Sequence, residues 1–363
     1  MRRDKMSIKE IARRAGVSPS TVSRVLNDPN YRCSRPEIRE TIWRLARELN
    51  YVPNEAARNL KKGVGKRSGK TYYVSILMTR VDNSRSDPFF NELLHIIESE
   101  IHRHMCVLTK VWYYSLFSDD KRCRSENLDK IIRKIRDETG EKCDGLIIIG
   151  KCNKEALKRL RHGYRSVVAV NRDSADYGVD EVVCDGRKVA SMAVEYLIQL
   201  GHKRIAYVGR YHNEPRYLGF LDALHRHNIE LAPECVIETK QTEVEGYEAM
   251  ENLLKSEDCP TGIYCANDIT AIGMLKCLAY HKKRYFMPSI ISCDDIEDAQ
   301  YSRPMLTTVR LPKEEMGRFA LFLLLDHMRG GHKGAVRVEL EGKLMVRESC
   351  TPASESRWCD YYI

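Results

Sequence analysis

Five side chains near the amino terminus stand out for what they can bind: Ser18, Ser20, Thr21, Ser23 and Arg24. Val22, Val25 and Leu26 recur at helical spacing through the same stretch and define an apolar face. The opposite face shows Ser20, Thr21, Ser23 and Arg24. Hydroxyls and a guanidinium in this arrangement donate and accept hydrogen bonds without activating a nucleophile. Their natural counterpart is a polar, acceptor-rich surface, and a guanidinium can take guanine O6 and N7 together.

Other residues with chemical potential fall into less productive patterns. His102 and His104 are two positions apart, as are His225 and His227, and such pairs splay on a helix. No metal constellation and no cofactor are expected from the spacing. There is no Gly-x-Ser-x-Gly nucleophile motif, and acidic pairs such as Asp119-Asp120 read as loop acids. The run Val64-Gly65-Lys66-Arg67-Ser68-Gly69-Lys70-Thr71 resembles a phosphate-binding loop, but Val64 stands where the first glycine belongs. A P-loop also follows a strand and opens a helix. This run follows a helix and leads into apolar Tyr72 to Met78, so it reads as a basic linker. The 13 cysteines are scattered and form no Cys-x-x-Cys pair, as expected of free buried thiols in a reducing compartment.

The polar-faced helix needs a frame, and its flanks supply one. Ser7-Ile8-Lys9-Glu10 has the form of a capping box. Ile8, Ile11, Ala12 and Ala15 follow at helical spacing, and Gly16 is a natural helix stop. Ser18 reads as the next N-cap, with Pro19 at the first helical position. A third helix opens at Ser34-Arg35-Pro36-Glu37 and buries Ile38, Ile42, Leu45, Ala46 and Leu49. Helix, short glycine-containing turn and polar-faced helix make a helix-turn-helix. Residues 1–70 hold 18 Lys/Arg against 7 Asp/Glu, a net +11, while the remainder holds 42 against 44. A basic segment on a near-neutral body is the footprint of a nucleic-acid-binding head.

Behind the head, 363 residues with 43% hydrophobic composition leave room for two or three domains. No stretch approaches the roughly 18–20 apolar residues of a membrane span, and no apolar run follows the charged first residues. A cytoplasmic location is expected. Short apolar runs at Tyr72–Met78, Val107–Tyr113, Gly145–Ile149, Val167–Val170, Ile205–Val208, Gly262–Cys265 and Ser289–Ser292 read as strands. Amphipathic stretches at Asn91–His104, Leu128–Asp137, Arg187–Leu200, Pro215–His227, Val244–Leu254, Ile269–Ala279 and Glu314–Met328 alternate with them. This alternation predicts an α/β body with two doubly wound parallel sheets. Ligands in such folds bind outside the carboxyl ends of the strands.

Ile8-Lys9-Glu10-Ile11-Ala12, Ala15-Gly16-Val17-Ser18, Thr21 to Asn27 and Leu49-Asn50-Tyr51-Val52-Pro53-Asn54 together resemble the lactose/galactose repressor (LacI/GalR) family. In the body, Asp87-Pro88-Phe89-Phe90, Leu200-Gly201-His202-Lys203-Arg204-Ile205-Ala206, Ala266-Asn267-Asp268 and Val346-Arg347-Glu348-Ser349 continue the resemblance. Ile291-Ser292-Cys293 departs from it, since the family usually has glycine and an aromatic before the acidic pair Asp294-Asp295. So does the basic stretch His281 to Arg284.

The resemblance implies a helix-turn-helix head over 1–52, a hinge helix over 53–63, a linker over 64–71, a periplasmic-binding-protein-like core over 72–350 and a tail over 351–363. The core divides into an N-subdomain (about 72–183 and 305–333) and a C-subdomain (about 184–304 and 334–350). Pro19, Ser20 and Arg24 take the family's base-reading slots, while Thr21 and Ser23 suit phosphates. Ser7, Ser18, Asn27 and Lys61 complete the implied DNA-binding set. Asn54 caps the hinge helix, Ala57 lets two hinge helices approach, and Leu60 takes the family's wedge position in the minor groove. The hinge is shorter than the about 12 residues an isolated helix needs, so its folding is expected to depend on DNA.

The family's effector contacts map onto Phe90, Asn171, Arg216, Asp268 and Asp295. Carboxylates, an amide, a guanidinium and an aromatic face suit a sugar or sugar derivative held in a cleft of the core. The expected partners are a pseudo-palindromic double-stranded operator, that small molecule and a second copy of the chain. The alternatives are an enzyme, such as a recombinase or sugar-modifying enzyme, and a pure ligand-binding protein of the periplasmic type. The basic head argues against the latter. Whether the effector releases or promotes DNA binding stays open.

Overall fold

The computed structural model describes residues 8–27, 31, 36–49, 51, 71–80, 87–139, 143–171, 178–255, 259–281 and 288–355. The chain divides into two compact units, one of residues 1–183 and 313–338, the other of 184–312 and 339–363.

The first unit begins with three helices, α1 (Ile8–Ala15), α2 (Pro19–Asn27) and α3 (Pro36–Glu48). The α2 cap is Ser18, whose hydroxyl accepts the Thr21 N–H at 3.1 Å. Gly16 takes φ +66° in the turn between α1 and α2, a conformation that glycine adopts without a Cβ penalty. Ile11, Ala12, Val22, Val25, Leu26, Ile42, Leu45, Ala46 and Leu49 form a core of their own. Trp43 joins it, stacks against His95 and meets the tilted ring of His102, with ring centroids 5.7 Å away in each case. The same α3 face sends Arg47 to the buried carboxylate of Glu98 at 2.7 Å. Burial pushes Glu98 up, but Arg47 and His95 outweigh it and hold the carboxyl below its ordinary value.

The rest of this unit is an open sheet of β1 (Tyr73–Met78), β2 (Val107–Tyr113), β3 (Gly145–Ile149), β4 (Ser166–Asn171), β5 (Asp180–Val183) and β11 (Arg337–Glu339). Its strand order is β11-β5-β4-β3-β1-β2, and β1 to β5 pair in parallel. Both faces are covered, so β3 is buried throughout. Leu146 and Ile148 pack on one side with Leu128, Ile132 and Ile135 of α6 (Leu128–Thr139) and Leu157 and Leu160 of α7 (Lys154–Arg161). Helices α4 (Pro88–Arg103) and α12 (Lys313–Arg329) pack together, and α12 also lies against β3, β4 and β5. Between β2 and α6 runs the short α5 (Asp120–Ser125).

The second unit repeats the plan with β6 (Ile205–Val208), β7 (Val236–Ile237), β8 (Gly262–Cys265), β9 (Ser289–Asp294), β10 (Thr307–Arg310) and β12 (Lys343–Met345). The order is β12-β10-β9-β8-β6-β7, with β12 the antiparallel edge. Helix α8 (Gly186–Gln199) packs on α9 (Pro215–Arg226), and α10 (Glu243–Lys255) on α11 (Asp268–Tyr280). Glycines make the second pairing possible. A Cβ on Gly273 would sit 2.0 Å from the Glu243 carbonyl oxygen, and one on Gly246 would sit 2.1 Å from that of Thr270. Gly273→Ala is therefore expected to push α10 and α11 apart at a cost of about 1–3 kcal/mol. Gly334→Ala, where nothing lies within 4 Å of the added carbon, is expected to change stability by less than about 0.5 kcal/mol. Thermal unfolding of the two variants checks the contrast.

The chain's returns fall elsewhere than the sequence suggests. Residues 305–312 were expected in the N-subdomain and lie in the second unit, because β10 pairs with β9 from Thr307↔Ile291 to Arg310↔Asp294. Residues 334–338 lie in the first unit, because β11 borders β5.

Candidate nucleic-acid interface and effector site

On α2, Val22, Val25 and Leu26 are buried, while Pro19, Ser20 and Arg24 are exposed and Thr21 and Ser23 half-buried. The Ser18 hydroxyl lies 2.7 Å from that of Ser20 and 2.8 Å from that of Thr21, which orders the amino end of this face. The Arg24 guanidinium stands over the Tyr31 ring, 5.8 Å from its centroid. Glu10 does not neutralise this surface, since its carboxylate is taken by Arg13 and Arg14 and held down to about 2 by their hydrogen bonds. Asn27 is the last residue of α2. Ser7, Asn54, Ala57, Leu60 and Lys61, and with them the hinge, lie outside the described residues.

Of the five expected effector residues, two belong to the first unit. Phe90 sits in the first turn of α4, behind the Asp87 cap and Pro88, and its buried ring meets Phe89 edge to face at 5.2 Å. Asn171 closes β4 at its carboxyl end, paired with Val183.

The other three converge on the carboxyl edge of the second sheet. Asn267 caps α11 by accepting the Thr270 N–H at 3.2 Å, which leaves Asp268 as the first helical residue. Asp268 is fully buried. Its Oδ1 accepts hydrogen bonds from the hydroxyls of Ser292 at 2.5 Å and Thr308 at 2.7 Å, and its Oδ2 accepts the Ile296 N–H at 2.9 Å. Arg216 is buried on α9; it donates from Nε to Glu214 at 2.7 Å and from Nη1 to the Ala266 carbonyl. Burial alone would lower the Arg216 pKa, but the Glu214 carboxylate beside it raises it well above the ordinary value. Asp295, at φ +49°, accepts from Arg310 and Arg347, each at 2.5 Å.

These contacts form two groups: Glu214 and Arg216 with the Ala266 carbonyl, and Asp268 with Ser292 and Thr308, whose hydroxyl also accepts the Asp295 N–H at 3.4 Å beside the two arginines. The resemblance names Arg216, Asp268 and Asp295 as effector contacts; Glu214, Ser292, Thr308 and Arg310, which bond to them in the structure, were not among the expected residues. Ser292 had been noted only as a departure from the family pattern. In the structure it holds Asp268, and Cys293 next to it donates to the Ala266 carbonyl at 3.0 Å. The hydrogen bonds of these groups are made within the protein, with Asp268, Ser292 and Thr308 fully buried; their place at the carboxyl edge of a parallel sheet is where such folds take small ligands.

Elsewhere, the described cysteines stand outside any disulfide and are mostly buried. Burial pushes Cys106 up to about 11 and Cys350 to about 12, which keeps them protonated at neutral pH. Among the described residues, no helix is long and apolar enough to cross a membrane.

A helix-turn-helix head and two parallel α/β units are the parts of a DNA-binding regulator with a periplasmic-binding-protein-like core. Residues 7–54 match the bacterial regulatory proteins of the lacI family, and residues 194–350 match the periplasmic binding protein-like domain. The chain belongs to the LacI family of bacterial regulatory proteins. It is 30% identical over 355 residues to the HTH-type transcriptional repressor PurR of Proteus mirabilis, covering 94% of this chain and 96% of that one. It is 28% identical to the probable HTH-type transcriptional repressor ExuR of Bacillus subtilis, covering 95% and 98%. Among solved structures, a LacI family regulator from Enterococcus faecium with bound ribose is similar at TM-score 0.62 and 26% identity, covering 77% of this chain and 99% of that one. The Lac repressor bound to ONPG shares the fold at TM-score 0.64 and 20% identity, covering 96% and 100%.

Proposed function

We propose that this chain is a sequence-specific transcription repressor whose operator affinity is set by a small polyhydroxylated effector. The observation that carries the reading is the split character of α2. Its apolar residues are buried in the head, while Pro19, Ser20 and Arg24 stand exposed, on a segment with a net +11 charge. That charge supplies sequence-independent attraction to phosphates, and Arg24 supplies base preference. Repressor relatives and the ribose-bound neighbour support this assignment.

The effector is taken by Arg216, Asp268 and Asp295 at the carboxyl edge of the second sheet; Phe90 and Asn171 of the first unit are the further candidates. It acts by differential affinity for two states of the core. The hinge around Asn54, Ala57 and Leu60 carries that difference to paired heads in a homodimer. The protein itself performs no catalysis. Selection of bound sequences from a random duplex pool, followed by thermal-shift screening against sugars and sugar phosphates, tests both halves. Enrichment of no motif would defeat the repressor reading.

Arg24→Ala is expected to weaken operator binding by about 1–3 kcal/mol, roughly 5- to 150-fold, and to relax preference at one base pair of each half-site. Binding measured across a panel of single-base operator variants checks this. A uniform loss on every sequence would make Arg24 a phosphate contact.

A further inference from the structure

A second group of side chains gathers at the start of β5, the strand end opposite to the one that Asn171 of β4 meets. Asp180 opens β5 and is buried. Its Oδ2 is 3.2 Å from His327 Nδ1 and 3.0 Å from His332 Nε2. The donor atoms of the three residues lie within 4.8 Å of one another. Local structure brings the histidines together. His327 is in the last turn of α12, the chain reverses at Gly330 with φ +79°, and Gly331 N–H closes on the Asp326 carbonyl at 2.9 Å. His332 is thereby folded back so that its Nδ1 meets the Asp326 carboxylate at 2.7 Å.

We propose that Asp180, His327 and His332 bind a divalent transition-metal cation of the zinc class. Two imidazoles and a carboxylate are the donor set such ions favour. Donors about 2.0–2.2 Å from zinc in tetrahedral array stand roughly 3.3–3.5 Å apart, so the two carboxylate–imidazole gaps need to open by a few tenths of an ångström, and the histidine nitrogens, within 4.8 Å of each other, to settle to the same spacing. The outer contacts are also in place. Asp326 at Nδ1 leaves Nε2 of His332 to face the ion, the carboxylate–histidine–metal arrangement that orients a ligand and raises its basicity. The second oxygen of Asp180 accepts the Val336 N–H at 2.9 Å, which holds the carboxylate in place. The His327 and His332 side chains are 28% and 17% exposed, which leaves a solvent-side position for a water as fourth ligand. A bound ion would tie the end of α12 to β5 and to the segment that leads into β11.

The test uses the full chain, stripped with a chelator and titrated with zinc(II) by calorimetry and with cobalt(II) by absorption. One equivalent per chain is expected, with a cobalt spectrum of tetrahedral type that lacks a thiolate charge-transfer band. His327→Ala and His332→Ala are each expected to weaken binding more than 100-fold while keeping the wild-type circular dichroism. Asp326→Asn, which touches no ion, is expected to weaken it by roughly 10–100-fold. Since Asp180 is buried and its replacement risks the fold, the histidine variants decide the matter. No zinc binding by the wild-type chain, unchanged affinity in both histidine variants, or a thiolate band in the cobalt spectrum would each overturn the proposal. DNA binding plays no part in these readouts, so they stand apart from the repressor assignment.

Discussion

Asp268→Ala is expected to destabilise the second unit by roughly 4 kcal/mol or more. Each hydrogen bond to a charged group contributes about 1.5–3 kcal/mol, and a buried donor left without a partner costs about 1–3 kcal/mol. Asp268 serves three donors at once, the Ser292 and Thr308 hydroxyls and the Ile296 N–H. They come from β9, from β10 and from the turn after β9, so the carboxylate ties both strands to the start of α11. The sum is a large share of the about 5–15 kcal/mol that holds a domain folded. Asp268→Asn retains one acceptor oxygen and the side-chain shape, and is expected to lose about half as much. Urea denaturation followed by tryptophan-independent circular dichroism ranks the two. An alanine variant as stable as the wild type would remove Asp268 from the network and leave it free to serve the effector alone. With the measured order as expected, effector affinity is read on the asparagine variant, whose fold survives.

Asp295→Ala is expected to cost about 3–5 kcal/mol, the usual price of leaving one member of a buried ion pair alone. The Asp295 side chain is 2% exposed, and of its two partners Arg347 is 11% and Arg310 47% exposed. The cost therefore lies with Arg347, which cannot turn to solvent as Arg310 can. A second contribution comes from the backbone. Asp295 is left-handed at φ +49°, where aspartate and asparagine are tolerated and alanine is penalised by roughly 1–2 kcal/mol. Asp295→Asn keeps the backbone preference and one acceptor oxygen while removing the charge, so it is expected to cost less than the alanine variant. Arg347→Met together with Asp295→Asn is expected to recover much of the loss, because the double replacement leaves no buried charge unpaired. Chemical denaturation of the single and double variants gives this cycle directly. Strictly additive losses would show that the two side chains do not depend on each other.

The elements of the body were largely legible because their signals are local. Long helices such as Pro215–Arg226 and fully buried strands such as Gly145–Ile149 carry periodicity or continuous apolar runs. Strands β5, β7, β10, β11 and β12 were not read. They are two to four residues long, and all but β7 begin or end in charged or hydroxyl residues, as in Asp180-Glu181-Val182-Val183 and Thr307-Thr308-Val309-Arg310. Their strand character comes from pairing with a neighbour, which no local pattern records. The misplaced returns at 305 and 334 have the same origin. Trp43 was likewise absent from the expected buried set, since part of its burial comes from His95 and His102, some fifty residues on.

By itself, the sequence determined the head and the class of protein. Capping residues, a glycine stop, helical spacing and net charge are properties of contiguous residues, and within thirty positions they specify a polar-faced helix on an apolar frame. The tertiary structure alone decided what the buried polar groups do. Asp268 is one acid in a family motif until β9 and β10 bring Ser292 and Thr308 to it, 24 and 40 residues away. Asp180 meets His327 across 147 residues and His332 across 152. Hydrogen bonds and metal–ligand bonds act over about 2–3 Å, and which side chains come that close is set by the register of the sheets rather than by distance along the chain.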